Sequence, residues 1–138
     1  MPRSLPLLLL LLAATELRAA ELIVHIENVP EGGGTLLIQI LDSEAAFDGQ
    51  EAAVASLILP ATAPGVAFTT TALPAGRYAL RVMHDRNGNQ ELDSNVVGMP
   101  TEPWGFSNNA SGNFGPPSWS DARFELKDSH TQTIRLNH

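Results

Sequence analysis

The chain has 138 residues, a formal net charge of −7 and no cysteine. Its acidity argues against nucleic acid or an anionic membrane as partner. The missing thiol excludes disulfides, cysteine nucleophiles and a lipid-modified N-terminal cysteine.

Residues 1–20 read as a secretory signal peptide. Arg3 supplies a positive start, Leu5 to Leu12 form an apolar run broken only by Pro6, and small residues end at Ala19 and Ala20. That run is too short to span a bilayer. Residues 21–138 remain as one domain, within the usual range of roughly 100–200 residues. No later apolar run reaches spanning length, so no membrane insertion is expected after signal cleavage. An exported chain without disulfides points to a bacterial periplasmic or secreted protein.

The elements follow in chain order. Leu22, Val24 and Ile26 alternate with Ile23, His25 and Glu27, the period of a strand. Pro30-Glu31-Gly32-Gly33-Gly34 turns the chain into a second strand, in which Leu36, Ile38 and Ile40 face one way. Leu37 and Leu41 make its other face apolar too, as expected of a central strand covered on both sides. Residues 42–52 are acidic and turn-like, with Phe47 as anchor. Val54 to Leu59 and Val66 to Thr70 give two further strands. Leu73-Pro74-Ala75-Gly76 is a tight turn in which Gly76 is expected to take φ > 0. Tyr78, Leu80, Val82 and His84 then share one face of a fifth strand. Ala122 to Leu126 and Ile134 to Leu136 complete seven. Short strands, frequent Gly/Pro turns and no long amphipathic helix predict an all-β fold. It is a single antiparallel Greek-key β-sandwich, immunoglobulin-like or transthyretin-like, with one long ordered loop.

That loop, residues 85–119, is too long to be an ordinary connection. It carries Trp104, Phe106, Phe114 and Trp119, rings that are costly to expose. The expectation is that it folds back over one end of the sandwich and buries most of them. The rings either cap the core or form a platform for a ligand.

Within the loop, Asp85, Asn87, Asn89, Glu91 and Asp93 put an oxygen-bearing side chain at every second position. Such spacing suits a hard cation, Ca²⁺ above all. As an EF-hand the match fails, because Gln90 stands where the sharp-turn glycine belongs and Val96 where the bidentate glutamate belongs. Two readings stay open: a looser calcium loop on a β-scaffold, with Glu102 or Asp121 completing the shell, and an Asx-rich turn whose side chains bond their own backbone. No zinc spacing, no Gly-x-Ser-x-Gly elbow and no phosphate-cradling loop is present.

The segment from His84-Asp85-Arg86-Asn87-Gly88-Asn89 through Gly98-Met99-Pro100 and Trp104-Gly105-Phe106-Ser107-Asn108-Asn109-Ala110 to Asp121-Ala122-Arg123-Phe124 resembles the bacterial exported family called "domain of unknown function 2141". The front half agrees, in Val24-His25-Ile26-Glu27-Asn28, Ile38-Gln39-Ile40-Leu41-Asp42-Ser43 and Leu73-Pro74-Ala75-Gly76-Arg77-Tyr78. The resemblance implies a small exported β-sandwich with the loop as its working end, and it supplies no catalytic residues.

The sequence therefore reads as an exported, non-catalytic binding or accessory module with a Ca²⁺-stabilised loop. Its ligand surface would comprise His84, Trp104, Phe106, Asn108, Asn109, Phe114 and Trp119, facing a protein or carbohydrate of the cell envelope. Two alternatives remain: a small periplasmic hydrolase using His84 with Asp85 or Asp121, and a purely structural envelope protein.

Overall fold

The computed structural model describes residues 19–90 and 101–138. Most of the expected signal segment, and Glu91, Asp93 and Met99 of the loop, lie outside the described residues.

Eight strands stand among the described residues: β1 (Ala20–Glu27), β2 (Thr35–Leu41), β3 (Ala55–Pro60), β4 (Gly65–Leu73), β5 (Gly76–Asp85), β6 (Trp104–Phe106), β7 (Phe124–Leu126) and β8 (Ser129–Arg135). Two four-residue helices accompany them, α1 (Glu44–Phe47) and α2 (Trp119–Ala122). The strands form the expected all-β sandwich. One sheet runs β4-β1-β8, the other β3-β2-β5-β6, and β7 also pairs with β5.

One pairing departs from a purely antiparallel plan. β1 and β8 run parallel, from Glu21 opposite Ser129 to Glu27 opposite Arg135. Parallel neighbours need a long crossover, and here nearly the whole domain serves as that crossover. In the immunoglobulin order the first strand lies beside the second. In this chain β1 pairs with β4 and β8 instead, so its arrangement is a different one.

Alternation decides which side chains meet between the sheets. Leu22, Val24 and Ile26 of β1 face Leu36, Ile38 and Ile40 of β2 and Leu80 and Val82 of β5, joined by Ile134 and Leu136 near the C-terminus. These side chains are essentially inaccessible to water. Each apolar side chain buried in this way contributes about 1.5–3 kcal/mol.

β2 is central, as its double apolar pattern predicts, and its outer face is buried at Leu41 while Leu37 stays half-buried. Leu41 joins Phe47, Ala79, Phe106 and Ala122 in a second, smaller core on the outer face of the larger sheet. Ser43 makes this possible by capping α1, its Oγ accepting the Ala46 amide at 3.1 Å. The helix then drops Phe47 onto the sheet, 5.8 Å from the Phe106 ring and 6.1 Å from that of Trp119. The long loop thus folds over a face of the sandwich rather than over its end.

The turn before β5 is held by a side chain rather than by glycine. Gly76 is not among the positive-φ residues, contrary to expectation. It is already the first residue of β5, opposite Leu126, and ladder geometry requires an extended backbone there. The corner is fastened by Tyr78, whose hydroxyl donates to the Pro74 carbonyl at 2.7 Å. Burial, and secondarily the charge of Asp42, raise the pKa of that phenol.

Gly105 is a glycine held small by the packing of the main core. A Cβ there would stand 2.7 Å from Ile134 Cγ2 and 3.3 Å from Leu136 Cδ2, against the main core. Overpacking of this kind costs about 1–3 kcal/mol. Gly105→Ala is expected to lower the unfolding free energy measured in urea by an amount in that range, and an unchanged value would show that the two sheets are not tightly closed at β6.

Candidate functional site

The end of β5 carries the residues in which the sequence concentrates chemistry. Asp85, the last residue of the strand, is only 2% exposed. Its Oδ1 accepts the Gly88 amide and its Oδ2 the Gln90 amide, each at 2.9 Å. Gly88 permits the curl with φ of 77°, and Asn87 Oδ1 accepts the Asn89 amide at 3.1 Å inside it. This is Asx-turn geometry built around one carboxylate. Two-residue spacing of polar side chains lets each reach the backbone of the next turn residues.

A second carboxylate stands opposite. The β5–β6 ladder pairs Met83 with Trp104 and continues past β6, where the His84 amide donates to the Pro103 carbonyl at 2.8 Å. That register sets Glu102 against Asp85. Glu102 is 5% exposed, and its Oε2 accepts the Arg86 amide at 2.7 Å. Like charges at directly opposed strand positions repel. Asp121, the other residue expected to complete a cation shell, lies elsewhere. It belongs to α2, whose Ala122 carbonyl is tied through Ser107 to Leu80. That is five residues back along β5, on the order of 15 Å at strand rise.

His84 faces the other way. Consecutive strand residues point to opposite faces, so the imidazole is buried in the sandwich while Asp85 looks outward. Its Nε2 lies 2.7 Å from the Gly33 carbonyl. A carbonyl only accepts, so Nε2 carries the proton, and Nδ1 is left buried without a partner. The contact ties the Gly-rich hairpin to β5. Gly34 (φ 85°) completes the closure, since a Cβ there would meet the Asp85 carbonyl at 2.5 Å. The structure therefore does not bring His84 into a dyad with either Asp85 or Asp121.

Asn108 and Asn109 bond the fold's own backbone. Ser107 Oγ accepts the Leu80 amide at 2.9 Å and donates to the Ala122 carbonyl at 2.5 Å. Asn108, at φ 59°, donates from Nδ2 to the carbonyls of Asp121 and Arg123. It also exchanges two hydrogen bonds with the buried amide of Gln132 on β8. Asn109, at φ 49°, donates to the Thr133 carbonyl and accepts the Arg135 amide, as a neighbouring strand would. Three successive side chains thus clasp β5, α2 and β8.

Of the rings, Phe106 is buried, and Trp104 and Trp119 are half-buried in the outer core. Phe114 is the exception to the expected burial. It is fully exposed at φ 62°, on a tip where Gly112 packs against the carbonyls of Gly115 and Pro116.

Sequence reasoning passed over Arg81 and Gln132. Alternation sets Arg81 on the outer face, but it is half-buried there, donating from Nε and Nη2 to Gln39 Oε1 at 2.8 and 2.5 Å and from Nη1 to the Phe47 carbonyl at 3.2 Å. Desolvation lowers its pKa. A polar residue at an inward position, as Gln132 is beside Ile134, was the available signal for the clasp.

Taken together, this is a small all-β sandwich with a carboxylate-bearing loop at one end of its central strand. The chain belongs to a family described as an uncharacterized protein conserved in bacteria (DUF2141), which matches residues 24–134. No curated protein and no solved structure matches the chain significantly.

The clasp gives a direct test. Asn108→Gly keeps the positive φ and removes the side chain, and is expected to cost about 1–3 kcal/mol through lost hydrogen bonds. Asn108→Ala should cost roughly 1 kcal/mol more, because a Cβ disfavours that backbone region. Urea unfolding of the two variants reads the difference. Wild-type midpoints in both would mean that the clasp contributes nothing.

Proposed function

We propose that the protein is an exported, non-catalytic binding or accessory module of the bacterial cell envelope, and that Ca²⁺ stabilises its working end, the loop after β5. The observation that carries this reading is the pair of buried carboxylates, Asp85 and Glu102, set against each other at the mouth of a loop rich in amide oxygens. A cation bound between two buried carboxylates would lower the electrostatic cost of holding them near one another. The donor set is all oxygen, which fits a hard cation. An ionised carboxylate offers about four acceptor sites, so the backbone amides leave capacity on Asp85. Asn87 and Asn89 add neutral oxygens, and Glu91 and Asp93 continue the same spacing.

Among the described residues no three of His, Cys, Asp and Glu cluster as a metal site. With so few charged ligands the affinity should be weak, on the order of 10⁻⁴–10⁻³ M as in extracellular modules. The leader-like residues 1–20 support export, and membership of a bacterial family supports the cellular setting. Phe114 and the exposed edges of Trp104 and Trp119 are the surfaces that an envelope protein or carbohydrate would meet. The acidic charge disfavours nucleic acid.

Thermal unfolding in Ca²⁺ against EDTA tests the proposal. At a hundredfold excess over its dissociation constant the ion should stabilise the fold by about 2.7 kcal/mol. Asp85→Asn and Glu102→Gln should each remove most of that gain. A wild-type midpoint indifferent to Ca²⁺ would leave an Asx turn and nothing more. An equal response to Mg²⁺ would reduce the effect to charge screening.

A further inference from the structure

The opposite end of β5 brings two arginines from separate elements together, in a stretch that also carries Asp121, Glu125 and Asp128. Arg77 opens the strand and lies opposite Glu125 of β7. Arg123 precedes β7, and Lys127 follows it. Arg77 and Lys127 pair with the Glu125 carboxylate, and Arg123 stands two residues before it. Glu125 sits 3.6 Å from Arg77 Nε and 3.8 Å from Lys127 Nζ. Both pairs are largely exposed and so bind weakly. Arg123 is in no ion pair among the described residues.

These groups line a recess of about 150 Å³, bounded by Arg77, Arg123, Phe124 and Glu125. Its frame is rigid. The Arg123 amide donates to the Trp119 carbonyl at 2.8 Å, and its own carbonyl accepts Asn108 Nδ2 at 2.8 Å. Phe124 is buried and stacks on His130 with centroids 4.6 Å apart and planes 9° from parallel. Two guanidinium groups thus project from fixed backbone positions beside a packed aromatic pair. Guanidinium forks match the planar or tetrahedral oxygens of an oxyanion and donate to them in pairs.

We propose that this recess, with Arg77 and Arg123 as its donors, binds the oxyanion group of a small ligand, a carboxylate, phosphate or sulfate. The site is independent of the calcium loop, roughly 25 Å away along β5. The ligand's oxygens would compete with Glu125 for Arg77 and take Arg123 outright.

The test is a titration of the full protein with inorganic phosphate, sulfate and acetate in separate arms, at constant ionic strength made up with chloride. The readout is the pair of Arg77 and Arg123 side-chain Nε–H signals in nitrogen-edited NMR. A saturable shift with at least one of the anions is expected at millimolar concentration, and the responding arm identifies the oxyanion class. Arg123→Gln, which leaves the backbone contacts in place, should weaken binding roughly tenfold or more. Linear drift in every arm would overturn the proposal. So would saturation that survives Arg123→Gln.

Discussion

The structure depends on how β5 satisfies its backbone. One edge of that strand is shared: β7 pairs with Gly76 to Tyr78, and β6 with Arg81 to Met83. Between them Leu80 has a buried amide and no strand opposite. A buried N–H without a partner costs as much as a lost hydrogen bond or more. Ser107 supplies the partner, accepting from the Leu80 amide and donating its hydroxyl to the Ala122 carbonyl. Asn108 and Asn109 extend the repair to β8. The loop is therefore part of the hydrogen-bonding frame, and β6, α2 and β7 take their positions from it.

That frame sets the two ends of β5. At its C-terminal end, β6 and the residues before it bring Glu102 beside Asp85, while His84 ties the glycine hairpin across the core. At its N-terminal end, α2 and β7 hold Arg123 beside Arg77. One end gathers two carboxylates and the other sets two arginines beside Glu125, and both adjoin the same clasp. The outer aromatic cluster lies between them, where Phe47, Phe106 and Trp119 cover the sheet and Arg81 binds α1 down through Gln39 and the Phe47 carbonyl.

Much of this was legible in the residues. Period-two alternation marked β1, β2, β4 and β5 and correctly turned His84 inward, because burial on one face leaves a repeating pattern. The doubled apolar pattern of β2 foretold its central place and the cover over Leu41, though not the half-burial of Leu37. What alternation does not encode is partner choice, so the parallel pairing of β1 with β8 was invisible. β6 was missed because three residues, one of them glycine, carry no period. The Asn108-Asn109 pair read as ligand surface, since side chains that bond distant backbone look the same in sequence as side chains that face a ligand or water. Gly76 misled because a Pro-Ala-Gly corner resembles a glycine-closed turn, whereas the Tyr78 hydroxyl does the fastening. Phe114 defied the rule that loop rings are buried; its tip is braced by its own backbone, and the rest of the fold makes no use of it.

Native-state hydrogen exchange tests the central role of the clasp most directly. If Ser107, Asn108 and Asn109 are integral to the frame, the amides of Leu80, Asn108 and Arg135 should exchange only with global unfolding. Their opening free energies should then equal that of the core strands. Exchange of these three amides by cheap local opening, at free energies typical of surface loops, would contradict the account.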